Sequence, residues 1–154
     1  MKVFGRCMAF AFAGAGLAAG VLTTPATADA DQTRTLSATV TIHTRGDGTQ
    51  PPAELGNPKE WGVVKLTMDD SAGSITPKTI VEVGGGKWSF GWNAVTDGKD
   101  CYSNYYHPKV GHSSTAKIAG GSDYDWSRAN QTSSAHVTGG GAYTCYAYWS
   151  KDKD

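Results

Sequence analysis

Beyond its first thirty residues the chain predicts an all-β fold, a small antiparallel β-sandwich, and three observations carry that expectation. Helical periodicity is almost absent. Stretches rich in Thr, Val, Ile, Tyr and Trp alternate at period two, as half-buried strands do. Clusters of Gly, Asp and Pro punctuate those stretches at short intervals, as turns do.

The elements follow in order. "TLSATVTIHTR" (Thr35–Arg45) alternates along its length, and "GDGTQPPAELGNP" then breaks it with glycines and prolines. "WGVVKLTM" (Trp61–Met68) and "KTIVEV" (Lys78–Val83) read as strands separated by the turn-like "DDSAGS". After Gly84-Gly85-Gly86 comes "KWSFGW", which sets Trp88, Phe90 and Trp92 on one face. In "CYSNYYH" the same period opposes Tyr102, Asn104 and Tyr106 to Ser103, Tyr105 and His107, and one set is expected to be buried. Further strands are expected in "STAKIAG", "SSAHVTG" and "AYTCYAYW". The short, polar "DYDWSRANQ" (Asp123–Gln131) is the one helix candidate.

The start of the chain sets the expected compartment. Lys2 and Arg6 precede an apolar run from Met8 to Leu22, and "TTPATADA" then offers small residues of the kind a signal peptidase reads. Residues 1–28 are therefore expected to be a secretory signal, cut between Ala28 and Asp29, with Ala28-Asp29-Ala30 as the alternative motif. The apolar run is shorter than the roughly 20 residues of a spanning helix, and Pro25 follows it. The expected product is secreted and extracellular.

Removing residues 1–28 takes away Lys2 and Arg6 but no acid, so 14 basic residues become 12 against 14 acidic. A nearly neutral chain argues against non-specific nucleic-acid binding and against lytic membrane insertion, since both need excess positive charge. Two parts differ in composition. Residues 29–83 are an extension rich in Thr and Pro, where extra strands are one option. Residues 84–150 hold four of the five tryptophans, all seven tyrosines and both remaining cysteines, and 151–154 form a charged tail. Cys101 and Cys145 are expected to form a disulfide, because two cysteines in a small exported domain usually do.

Asp97 to Ser114 is the stretch most crowded with side chains that could carry chemistry. His107, His112 and His136 lack the spacing of a zinc site, no HExxH or GxSxG occurs, and the thiols are assigned to each other. Neither a metal, a cofactor nor catalysis is expected. Asp97, Asp100, Asp123 and Asp125 read as turn formers rather than paired catalytic acids. Recognition remains: aromatic faces pack on sugar rings, and a Lys or protonated His neutralises a phosphate. The contact surface expected on these grounds is Trp88, Tyr105, His107, Lys109 and His112.

Three blocks carry a family resemblance: "GGGKWSFG" (Gly84–Gly91), "CYSNYYHPKVGHSSTAKIAG" (Cys101–Gly120) and "AYTCYAYW" (Ala142–Trp149). In this order they resemble the lactococcin 972-type bacteriocins. The resemblance implies a small secreted β-sandwich with antibacterial action other than pore formation, binding the cell-wall precursor lipid II and blocking septum synthesis in dividing relatives. No binding residues carry over with it. The chain departs from the family's compact domain by the extension from Asp29 to about Glu82. A non-toxic secreted surface or structural module is the alternative function, and a homodimer is left open.

Overall fold

The computed structural model describes residues 38–67 and 78–152. The expected signal segment with its Ala28/Asp29 cleavage point, the start of the first strand run, the "DDSAGS" turn and the last two residues of the tail lie outside them. Among the described residues nine strands form: β1 (Val40–Thr44), β2 (Glu60–Leu66), β3 (Lys78–Val83), β4 (Gly86–Val95), β5 (Gly98–His107), β6 (His112–Ile118), β7 (Gly121–Ser127), β8 (Gln131–Gly139) and β9 (Cys145–Lys151). They make two antiparallel sheets, β1-β2-β9-β6-β7 and β3-β4-β5-β8, packed as a sandwich. The all-β expectation is borne out.

The alternation in the sequence decides which residues meet between the sheets. The four-stranded sheet turns Trp88, Phe90 and Trp92 of β4, Cys101 and Tyr105 of β5 and Ala135 of β8 inward. Opposite them, the five-stranded sheet supplies Val64 and Leu66, Ala116 and Ile118, and Cys145, Ala147 and Trp149. Small residues stand beside large ones. Gly62 pairs directly with Trp149, and a Cβ there would collide with the indole. Such interdigitation fills a core to the density that folded interiors require.

Polar side chains also lace the two sheets together. Ser103 Oγ accepts the Trp88 indole N–H at 2.9 Å and donates to the Tyr148 carbonyl at 2.7 Å. Ser114 Oγ lies 2.8 Å from Ser133 Oγ, joining β6 to β8. Cys101 and Cys145 are bonded across the core, linking β5 to β9. Burial is affordable for these hydroxyls because each has a partner.

The described part of the N-terminal extension is built into this body. β2 lies between β1 and β9 and contributes Val64 and Leu66 to the core. The connection between β1 and β2 crosses the outer face of the five-stranded sheet, where Leu55 of a 3-10 turn (Ala53–Leu55) is buried. Glu54 of that turn pairs with Lys117 of β6 at 2.6 Å, and the lysine holds the carboxyl below the ordinary value. Arg45 fastens the connection from its other side by donating to the carbonyls of Asn57 and Pro58.

One expectation is corrected. "DYDWSRANQ" is not a helix: Gly121–Ser127 is strand β7, a turn follows, and β8 begins at Gln131. The reason lies in the alternation Asp-Tyr-Asp-Trp. Its aromatics face outward, while Asp123 Oδ2 and Asp125 Oδ2 accept the backbone N–H groups of His136 and Ser134 at 2.8 and 2.7 Å. A strand satisfies both carboxylates; a helix there would bury nothing.

Candidate functional site

The site is assembled at the end of the sandwich where the β3–β4 hairpin, the β5–β6 turn and the β7–β8 turn come together. Gly84 and Gly85 make the hairpin turn with φ of +58° and +85°, the left-handed region that glycine enters at little cost. Space demands glycine as well. A Cβ on Gly84 would stand 2.5 Å from the Trp149 ring, and one on Gly86 would meet the Tyr106 carbonyl and the Tyr105 ring. The "GGG" block is thus a bare-backbone turn pressed onto aromatic side chains.

Beneath the turn lies a buried cluster. Tyr105 donates to the Val83 carbonyl at 3.0 Å, and its ring sits 4.9 Å from Trp149 and 5.4 Å from His112. Burial, with the nearby Glu60 carboxylate, pushes the Tyr105 phenol well above its ordinary value. His107 donates from Nε2 to the Gly84 carbonyl at 3.0 Å and accepts the N–H groups of Lys109 and Val110 at Nδ1, both at 3.1 Å. Those partners fix the neutral tautomer with its proton on Nε2. His112 donates from Nδ1 to the Val110 carbonyl at 3.0 Å, and its Nε2 has no partner among the described residues. Lys151 reaches the Gly84 carbonyl and the Glu60 carboxylate, both at 3.0 Å, and so ties the turn to β2 and β9.

Above the cluster an open cleft of about 400 Å³ is formed by the glycine turn with Glu82, Val83, Lys87, Tyr106 and Pro108. Glu82, Lys87 and Tyr106 occupy one cross-strand row on the outer face of the four-stranded sheet. Tyr106 is held in place by donating its hydroxyl to Asn130 Oδ1 at 2.8 Å. Asn130 takes the left-handed conformation, φ +64°, and its own N–H donates to the His107 carbonyl at 2.8 Å.

The structure places the five residues expected on the contact surface differently from that expectation. Trp88, Tyr105, His107 and His112 are buried, with no more than 4% of any of them exposed. Lys109 alone is exposed, at the β5–β6 turn. The physical reason is the register of β5: Cys101 points inward to its disulfide, so Ser103, Tyr105 and His107 point inward too. The buried Tyr105, His107 and His112 do come together at one end, with Trp88 paired to Tyr105 across the strands, but behind the glycine turn: none of the four lines the cleft. Tyr106, Lys87 and the bare turn were missed. The parity of Cys101 was the signal that could have found them, because an inward Cys101 makes Tyr106 and its cross-strand partner Lys87 face out.

Among the described residues no three His, Cys, Asp or Glu side chains gather in a way that could hold a metal ion, and no helix is long and apolar enough to cross a membrane. The fold and the site together make a disulfide-stapled β-sandwich with a polar and aromatic cleft at one end. Residues 84–149 match the family described as Bacteriocin (Lactococcin_972), the family that the three sequence blocks resemble. Over that span the chain is similar to that family, and the matched span begins at the glycine turn of the cleft and ends at the Trp149 packed against it. No curated protein and no solved structure matches the chain.

Proposed function

We propose that this protein is exported and acts as an antibacterial by capturing lipid II, so that septum synthesis in competing bacteria stalls without pores being formed. The observation that carries the reading is the bacteriocin family match over residues 84–149. A rigid cleft supports it, since a preformed site loses little conformational freedom on binding. So does the exposed Lys109 ammonium, which stands beside Pro108 of the cleft and suits an anionic head group. Capture is stoichiometric. One precursor held is one precursor withheld from the septal enzymes, and no bond is made or broken.

Titration of the purified, oxidised protein with lipid II in detergent micelles tests this directly. Saturation near equimolar protein and precursor is expected, with affinity reduced about tenfold in Lys109→Ala, the size of one lost charge-assisted contact. Dye-loaded vesicles containing lipid II should stay sealed while sensitive cells stop dividing. Absence of binding, or rapid dye release, overturns the proposal.

A further inference from the structure

We infer that the cleft at the glycine turn is a saccharide subsite, taking a pyranose ring of the precursor rather than its pyrophosphate; this rests on the lipid II reading above. Charge is the first argument. The lining carries one acid and one base, Glu82 and Lys87, directly opposite each other on β3 and β4, and its other members are uncharged. A pyrophosphate seated there would face the Glu82 carboxylate with only Lys87 in the lining to offset it, whereas Lys109 stands outside the lining, where the pyrophosphate could lie beyond the ring. A neutral polyol meets no such penalty, and an adjacent carboxylate and ammonium serve hydroxyls both as acceptor and as donor.

Shape and polarity agree. A cleft of about 400 Å³ lies in the range of small-molecule sites, large enough for one or two sugar rings. Because positions 84–86 have no side chains, the turn lets an entering ring approach its backbone closely. The Tyr106 ring and Pro108 supply apolar faces of the kind that pack on the C–H face of a pyranose. Neighbouring strands lie about 4.8 Å apart, so the row Glu82, Lys87 and Tyr106 spaces its groups at roughly the length of one ring.

Rigidity completes the case. The turn is pinned from below, with the Gly84 carbonyl taking bonds from His107 and Lys151. Tyr106 is pinned from the side by Asn130. Buried His107 and Tyr105, which cannot touch a ligand themselves, thereby position the groups that can.

The experiment compares three probes on the full oxidised protein: lipid II in micelles, the lipid-free disaccharide-pentapeptide, and undecaprenyl pyrophosphate. The disaccharide-pentapeptide should bind, compete with lipid II, and shift the backbone amide signals of Gly85, Lys87 and Tyr106 in the wild-type protein, a readout that needs no variant. Tyr106→Ala should weaken the disaccharide-pentapeptide about tenfold, while Tyr106→Phe, which keeps the ring, should stay within about threefold. If lipid II binds and only undecaprenyl pyrophosphate competes, or if the shifts fall elsewhere, the subsite is wrong while lipid II capture stands. If no probe binds, both readings fall.

Discussion

Tyr105 shows how much a single buried side chain contributes to this end of the molecule. Its hydroxyl has one acceptor, the Val83 carbonyl, and its ring is wedged between His112 and Trp149. Ionising it would place a charge in that interior, so its phenol titrates well above the ordinary value of 10.0. The folded chain therefore keeps a proton that the unfolded chain gives up. Stability from this group is fully present below pH 10 and is lost as pH rises toward the folded value, by about 1.4 kcal/mol per pH unit for one group. Urea denaturation at pH 8 and pH 11 should show a steep alkaline loss in the wild type. Tyr105→Phe should be less stable at pH 8, by about 1 kcal/mol for the lost hydrogen bond, yet show a flatter alkaline loss. An unchanged slope would mean that Tyr102 and Tyr148, whose phenols burial also raises, carry the effect.

Elements were legible where alternation is clean. "KTIVEV" is β3 to the residue, and the tryptophans and phenylalanine of "KWSFGW" all face the core as expected. Illegible elements are those whose polarity contradicts their burial. In β6, His112, Ser113, Ser114 and Thr115 are all buried, an arrangement no hydropathy rule suggests. Ser114 and Ser113 are paid for by partners on other strands, Ser133 and Ser150, which only the folded topology supplies. The cleft was illegible for a related reason: both faces of β5 carry tyrosine, so composition does not choose between them.

Strand β7 adds a prediction at the same scale. An edge strand with unpaired N–H groups invites pairing with another chain. β8 is such an edge, and Asp123 and Asp125 cover its His136 and Ser134 amides. Alanine at both positions should lower stability by about 2 kcal/mol and open β8 to association. Sedimentation should then reveal concentration-dependent species absent from the wild type. A double variant that keeps its denaturation midpoint and its sedimentation profile would show that solvent covers this edge equally well.

At the scale of the whole molecule, two devices hold the sheets in one relation, and they differ in what they constrain. The serine bridges and the core act in the folded state alone. The Cys101–Cys145 bond, closing 44 residues of sequence, acts also on the unfolded chain, where loop-closure entropy assigns it about 4 kcal/mol. It joins β5, which carries Tyr105, Tyr106 and His107, to β9, which carries Trp149 and Lys151, so it ties the strands on which the glycine turn rests. The glycine turn that lines the cleft packs against Trp149 and bonds to Lys151 of the opposite sheet, so its position depends on that tie. Cys101→Ser with Cys145→Ser should therefore lower the urea midpoint and also loosen the cleft before the fold is lost. Amide exchange at Gly85 and Tyr106 should accelerate more than exchange at Ala116, which sits in the middle of the core. Uniform acceleration at all three would mean that the bridge stabilises only globally, and that β9 keeps its place under the turn through packing alone.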